Sequence, residues 1–179
     1  MTIKKCSKCG EVKEEEDFAR EKKTPGGRNR ACKKCRNKDH TLYRNTEQGY
    51  LRDTYYNLGF RRKCSFTFEE FVGAFKKHKS IYGMRSAWGP GIDHLDQHLP
   101  MTMICLGNGQ QGLKGATKGA KRTASNLSVD RLDSNLDYTL QNIIFIRSDE
   151  NERKKHTTYE DCKIQIRIHE ERFINMKAI

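Results

Sequence analysis

Two cysteine pairs of identical spacing constrain this chain more than anything else in it. Cys6 and Cys9 in CSKCG are two residues apart, as are Cys32 and Cys35 in CKKCR, and 22 residues lie between the pairs. A C-x2-C turn aims two thiolates at one point from a tight loop. Two such turns complete the sulfur tetrahedron that zinc prefers. Gly10 supplies the permissive backbone this turn wants, and Lys5, Lys8, Lys33, Lys34 and Arg36 favour the thiolate form. Four sulfurs leave no open coordination position, so the expected zinc is structural. Seven cysteines are an odd number, and MTIKKCSKCG has no apolar segment behind its charged start. Neither a disulfide framework nor a secretory signal is therefore expected. Cys64, Cys105 and Cys162 have no partner pattern and read as ordinary thiols.

At 179 residues the chain holds one ordinary domain plus a small module, or two small domains, with a modest core. No stretch approaches the roughly 18 apolar residues of a membrane span, so no membrane partner and a cytoplasmic location are expected. Lysine and arginine exceed the acids by 12, for a pI near 9.4. A net positive chain attracts polyanions and releases counterions on meeting phosphates, which points to nucleic acid. Arg28 and Arg30 in TPGGRNR follow a turn and are placed to meet a phosphate backbone, as are Lys33 and Lys34. Residues 106–125, LGNGQQGLKGATKGAKRTAS, contain five glycines and the four cations Lys114, Lys118, Lys121 and Arg122. Such a segment predicts a mobile loop that orders on DNA or stays solvated.

Helical periodicity dominates the middle. Tyr50, Leu51, Tyr55 and Leu58 predict one helix, with Gly59 as its stop. In SFTFEEFVGAFKKHKS, Thr67 and Glu70 form a capping box, and Phe68, Phe71, Val72 and Phe75 fall on one face, as core. From Ser125 onward the pattern changes to strand, turn, strand and polar helix. NLSVDRLD alternates through Leu127, Val129 and Leu132, SNLDYT turns, NIIFI is a second strand, and RSDENERKKH is rich in helix formers. This order can set an acid of the first strand beside a helix residue, a geometry that suits a hard cation with oxygen ligands and open water positions. HTTYEDCKIQIRIHEERFI predicts a further helix, although IQIRI also permits a strand.

The stretch SVDRLDSNLDYTLQNIIFI resembles the HNH, or ββα-metal, endonucleases, in particular the phage-encoded group with the pattern S-[IL]-D-R-[IL]-D-x-x-x-x-Y-T-x-x-N-[IV]. Ser128, Asp130, Arg131, Leu132, Asp133, Tyr138, Thr139, Asn142 and Ile143 fit it. NERK at 151–154 resembles the family's closing N-x-x-K, and HLPMT at 98–102 the lead into its first strand. The cysteine pairs resemble zinc modules that often precede such nucleases. The resemblance implies that Asp130 and Asn151 hold one Mg2+ or Mn2+ ion at the scissile phosphate of DNA, and that Asn142 orients a neighbouring group. Where the commoner pattern has a histidine base, this chain has Arg131. A guanidinium accepts no proton, so its expected role is a phosphate clamp. The base is left to His98, His94, Asp133 or solvent, in that order for the histidines. Asp93 and His94 in IDHLDQHLP offer a competing acid-histidine pair. Arg153, Lys154 and Lys155 are expected to face phosphate.

The expected fold class is α+β. A zinc module spans residues 1–40, a helical linker region 41–84, and a ββα-metal nuclease core with a C-terminal helix 85–179. Two functions fit: a metal-dependent DNA endonuclease of the host bacterial cytoplasm, homing-type or free-standing, or a zinc-dependent nucleic-acid-binding protein whose nuclease site has decayed.

Overall fold

The computed structural model describes residues 2–61, 63–89, 96–106 and 121–154. These form a mixed α and β structure with four α-helices and three two-stranded sheets among the described residues. His94, Lys114, Lys118, Lys155, Cys162 and the expected C-terminal helix lie outside them, as does most of the glycine-rich segment.

β1 (Ile3–Lys5) and β2 (Val12–Glu14) pair antiparallel and present the first cysteine turn between them. Gly10 closes that turn at φ +74°, a left-handed conformation that side chains resist. A 3-10 turn at Glu15–Asp17 then sends Phe18 inward, fully buried beside Cys6, Ala31 and Cys32. α1 (Lys33–Arg44) starts directly after Cys32. α2 (Glu47–Arg61) follows so closely that a Cβ on Gly49 would collide with the Tyr43 carbonyl oxygen. Glycine is therefore required at this helix junction by close approach alone.

The Gly59 stop does not occur, since α2 continues to Arg61. A helical glycine weakens a helix by about 1 kcal/mol. Here Tyr50, Leu51 and Leu58 are buried in the main core, which offsets that cost. α3 (Phe68–Tyr82) begins with the expected capping box: Thr67 accepts from the Glu70 N–H at 3.2 Å, and Glu70 accepts from the Thr67 N–H at 2.7 Å. Phe71 and Phe75 are fully buried, while Phe68 and Val72 pack at the margin.

β3 (Cys105–Leu106) and β4 (Lys121–Arg122) form a short antiparallel pair. β5 (Leu127–Arg131) and β6 (Ile143–Arg147) form the central hairpin, with Asp130 opposite Ile144. α4 (Ser148–Lys154) folds back against both strands. Alternation assigns the faces. Leu127 and Val129 join Phe145, Phe71, Phe75 and Tyr50 in the main core, whereas Ser128 and Asp130 look the other way. β6 is buried on both faces, because Ile144 and Ile146 join a second cluster with Tyr82 and Ala87. This accounts for the unbroken NIIFI run. The region expected as a helical linker thus supplies α2 and α3 to the core of the hairpin. The Tyr50 hydroxyl fastens α2 to β5 by donating to the Leu127 carbonyl at 2.8 Å.

Candidate functional sites

The cysteine cluster is assembled by two local structures. The β1–β2 turn carries Cys6 and Cys9, while Cys32 and Cys35 flank the first turn of α1. Their sulfurs all lie within 4.8 Å of one another, and none of the four is in a disulfide. A tetrahedral zinc with bonds of about 2.3 Å separates its sulfurs by about 3.8 Å, so the donor set fits. The backbone is built for sulfur anions. Cys6 Sγ accepts the N–H groups of Cys32 at 3.3 Å, Lys8 at 3.4 Å and Cys9 at 3.5 Å. These donors, that of Cys32 first, pull the Cys6 thiol down to about 6. Cys35 is pushed up to about 12, chiefly by its hydrogen bond with Cys32. Four clustered thiols do not all ionise without a cation among them. The cluster can therefore hold a metal ion, and it is the only such group of three or more His, Cys, Asp or Glu among the described residues.

The second site is the outward face of β5 with α4. Strand period places Ser128 and Asp130 on this face about 7 Å apart, and Asn151 and Lys154, three residues apart on α4, match that interval. Two rungs result. Asn151 Nδ2 donates to Ser128 Oγ at 2.9 Å, and Lys154 Nζ donates to Asp130 Oδ2 at 2.7 Å and to the Arg131 carbonyl. The Lys154 ammonium also lies 5.8 Å from the centre of the Trp88 ring. Asp130 and Asn151 are thereby brought onto neighbouring positions of one surface. Asn142 is buried, and its amide holds the loop between the strands: Oδ1 accepts the Asp133 N–H at 2.8 Å, and Nδ2 donates to the Asp133 and Asp137 carbonyls at 3.0 Å each. Removing a buried side chain that satisfies three part-buried backbone groups costs about 2–3 kcal/mol. Asn142→Ala is expected to lower the urea unfolding midpoint accordingly, and a loss below about 1 kcal/mol would show that the loop holds itself.

Three expected roles change with the geometry. Arg131 shares its face with Leu127 and Val129, opposite Asp130. Its guanidinium donates to the Ser134 carbonyl and to the Leu136 carbonyl at 2.7 Å, over the Tyr138 ring. It staples the loop, and the cation beside Asp130 is Lys154. His98 is 1 % exposed, with Nδ1 2.7 Å from the Ser86 carbonyl and its ring against Tyr82. A ring so enclosed does not meet an attacking water. Asp133 caps its own turn, accepting the Asn135 N–H at 2.8 Å.

The cationic candidates separate similarly. Arg28 is internal to the zinc-type module, donating to the Phe18 carbonyl at 3.1 Å, whereas Arg30, Lys33 and Lys34 are exposed. Lys121 and Arg122 form β4. Arg153 is exposed and 3.3 Å from Asp149, whose carboxyl is held below its ordinary value chiefly by Arg147.

Three supports of the site carry no motif in the sequence. Asn126 is fully buried and its Oδ1 accepts from Thr102 and Thr123 at 2.8 Å each, tying the approach to β5 together. Glu150 is buried and accepts from the Ser86 hydroxyl, which also receives the Trp88 N–H at 3.1 Å, so α4 positions Trp88. Trp88 is the chain's single tryptophan, the one signal by which it was findable.

No helix among the described residues is long and apolar enough to cross a membrane. No protein-family model, curated protein or solved structure matches the chain. The HNH-like reading therefore rests on the residues and their arrangement alone.

Proposed function

We propose that the chain is a metal-dependent DNA endonuclease of the ββα type, with a structural zinc on Cys6, Cys9, Cys32 and Cys35. The observation that carries this reading is the juxtaposition of Asp130 with Asn151 and Lys154 across a β-hairpin and helix. The charge of +12 supports a polyanionic substrate. Asp130 and Asn151 offer hard oxygens to Mg2+ or Mn2+, which when bound supplies Lewis-acid stabilisation of the departing 3′ oxygen. Lys154 binds a non-bridging phosphate oxygen as a point charge, and Trp88 limits where its ammonium sits. Asn142 holds the loop between the two strands in place. Hydrolysis moves one proton from the attacking water to a base, with His94 and solvent as the remaining candidates.

One observation favours the second reading, a zinc-dependent nucleic-acid-binding protein with a decayed site. Among the described histidines, His78 and His98 are buried and His40 is on α1, so none of the three is offered as a base beside Asp130. Supercoiled plasmid incubated with zinc-loaded protein and Mg2+ or Mn2+ separates the two. The endonuclease reading expects relaxed or linear DNA, and intact plasmid with both ions overturns it.

A further inference from the structure

α1 is held at its ends and hardly anywhere else. Cys32 and Cys35 anchor its first turn in the cysteine cluster. At the other end, Asn45 grips the Cys105 backbone through Oδ1 at 2.6 Å and Nδ2 at 3.3 Å, and Gly49 packs on the Tyr43 carbonyl. Between these anchors none of its 12 residues is buried. Isolated helices of this length are marginal in water, and most are stabilised by burying an apolar face. This one is instead a stiff, solvent-facing element whose sequence KKCRNKDHTLYR has five lysines and arginines and one acid.

A groove of about 530 Å³ runs along that helix, lined by Ala19, Lys33, Arg36, Asn37, His40 and Tyr43. Asp39 also lines it, and its carboxylate is taken by Lys8 from the first cysteine turn. No ion pair within 4 Å engages Lys33 or Arg36 among the described residues. Lys33, Arg36, His40 and Tyr43 follow one another at intervals of three and four, hence on one face. From first to last they span about 15 Å, the rise of roughly four base pairs.

We propose that this face of α1 is a docking surface for the phosphate backbone of duplex DNA, with Lys33 and Arg36 on the phosphates and Tyr43 packing at the far end. The occupant is set by charge complementarity: Lys33 and Arg36 fixed one turn apart, with the helix's one acid neutralised by Lys8, match a regularly charged polyanion. Rigid mounting removes the ordering cost that flexible basic segments carry on binding. The inference relies on the endonuclease reading for its choice of duplex DNA, and it places binding on an element separate from Asp130.

The test uses the full zinc-loaded chain without added Mg2+ and a fluorescein-labelled duplex of about 30 base pairs and mixed sequence, read by anisotropy between about 50 and 200 mM salt. Lys33→Glu with Arg36→Glu is expected to weaken binding at least tenfold at about 100 mM salt. Lys33→Gln with Arg36→Gln is expected to weaken it less and to lower the log–log salt slope by about two, one for each phosphate that the side chains no longer neutralise. Should the glutamate pair fail to retain zinc, the glutamine pair decides. Binding within twofold of the parent by both variants overturns the inference. So does tighter binding of an RNA hairpin than of duplex DNA with the same weakening in the variants. Plasmid cleavage by the parent protein alongside unchanged DNA binding by the variants sinks the docking surface and leaves the endonuclease reading intact. Absent cleavage alongside the tenfold weakening does the reverse.

Discussion

Cys6→Ala is expected to abolish metal retention and to unfold the N-terminal module while the hairpin core survives. The apolar cluster around the cysteines consists of Phe18, Ala31, Cys6 and Cys32, with Cys35 at its edge. One phenylalanine and a few small residues fall well short of offsetting the ordering entropy of some 35 residues at about 1–2 kcal/mol each for the backbone. Structural zinc contributes roughly 10–16 kcal/mol of apparent binding energy in small fingers, which is folding energy there. Cys6 is also the sulfur on which three N–H groups converge, so its loss strips partners from both cysteine turns. Zinc content is expected to fall from one equivalent to below about 0.1. Amide hydrogen exchange protection should vanish over 3–36 and persist in α3, β5 and β6, whose aromatic core is a separate cluster. Retained protection over 3–36 in metal-free protein would refute a metal-built module.

How far the sequence disclosed this depends on the range of the interactions involved. The cysteine turns were legible because metal ligation imposes a spacing within a few residues, and the Thr67–Glu70 box because a cap closes within one helical turn. NIIFI was legible as a strand, but its burial on two sides comes from Phe71 and Phe75 packing on one face and Tyr82, Ala87 and Trp88 on the other. The stop expected at Gly59 failed because tertiary burial of Tyr50, Leu51 and Leu58 outweighs a local propensity of about 1 kcal/mol. Arg131 looked available for phosphate because charge in a sequence carries no direction. The strand's alternation, once its register is known, turns that side chain toward Tyr138 and the loop carbonyls. His98 looked available for the same reason, and three-dimensional packing against Tyr82 and Ser86 encloses it. The Asp130 to Lys154 rung joins residues 24 apart, beyond any periodicity that a sequence shows.

Asp130→Ala is expected to lower plasmid cleavage by about a thousandfold or more while the protein stays folded. Charge stabilisation by a bound divalent ion is worth several kcal/mol, and each 1.36 kcal/mol is about tenfold in rate. Asp130 is the carboxylate that faces Asn151's helix, so losing it removes the only described anionic oxygen of the proposed site. The structural cost is smaller. Lys154 loses its ion pair but keeps the Arg131 carbonyl and its place beside the Trp88 ring. A cost of about 1–2 kcal/mol is expected, above a surface pair and below a sealed one. Unchanged far-ultraviolet circular dichroism with abolished cleavage would separate chemistry from folding. Lys154→Met sharpens the assignment, because the ammonium and a divalent cation compete for one carboxylate. Removing the ammonium should lower the Mg2+ concentration that gives half-maximal cleavage, and at the same time lower the maximal rate about tenfold, because no ammonium then holds the phosphate. A protein that cleaves equally well with Asp130→Ala draws its activity from elsewhere, and one in which Lys154→Met leaves both the Mg2+ requirement and the rate untouched assigns that lysine to packing against Trp88 alone.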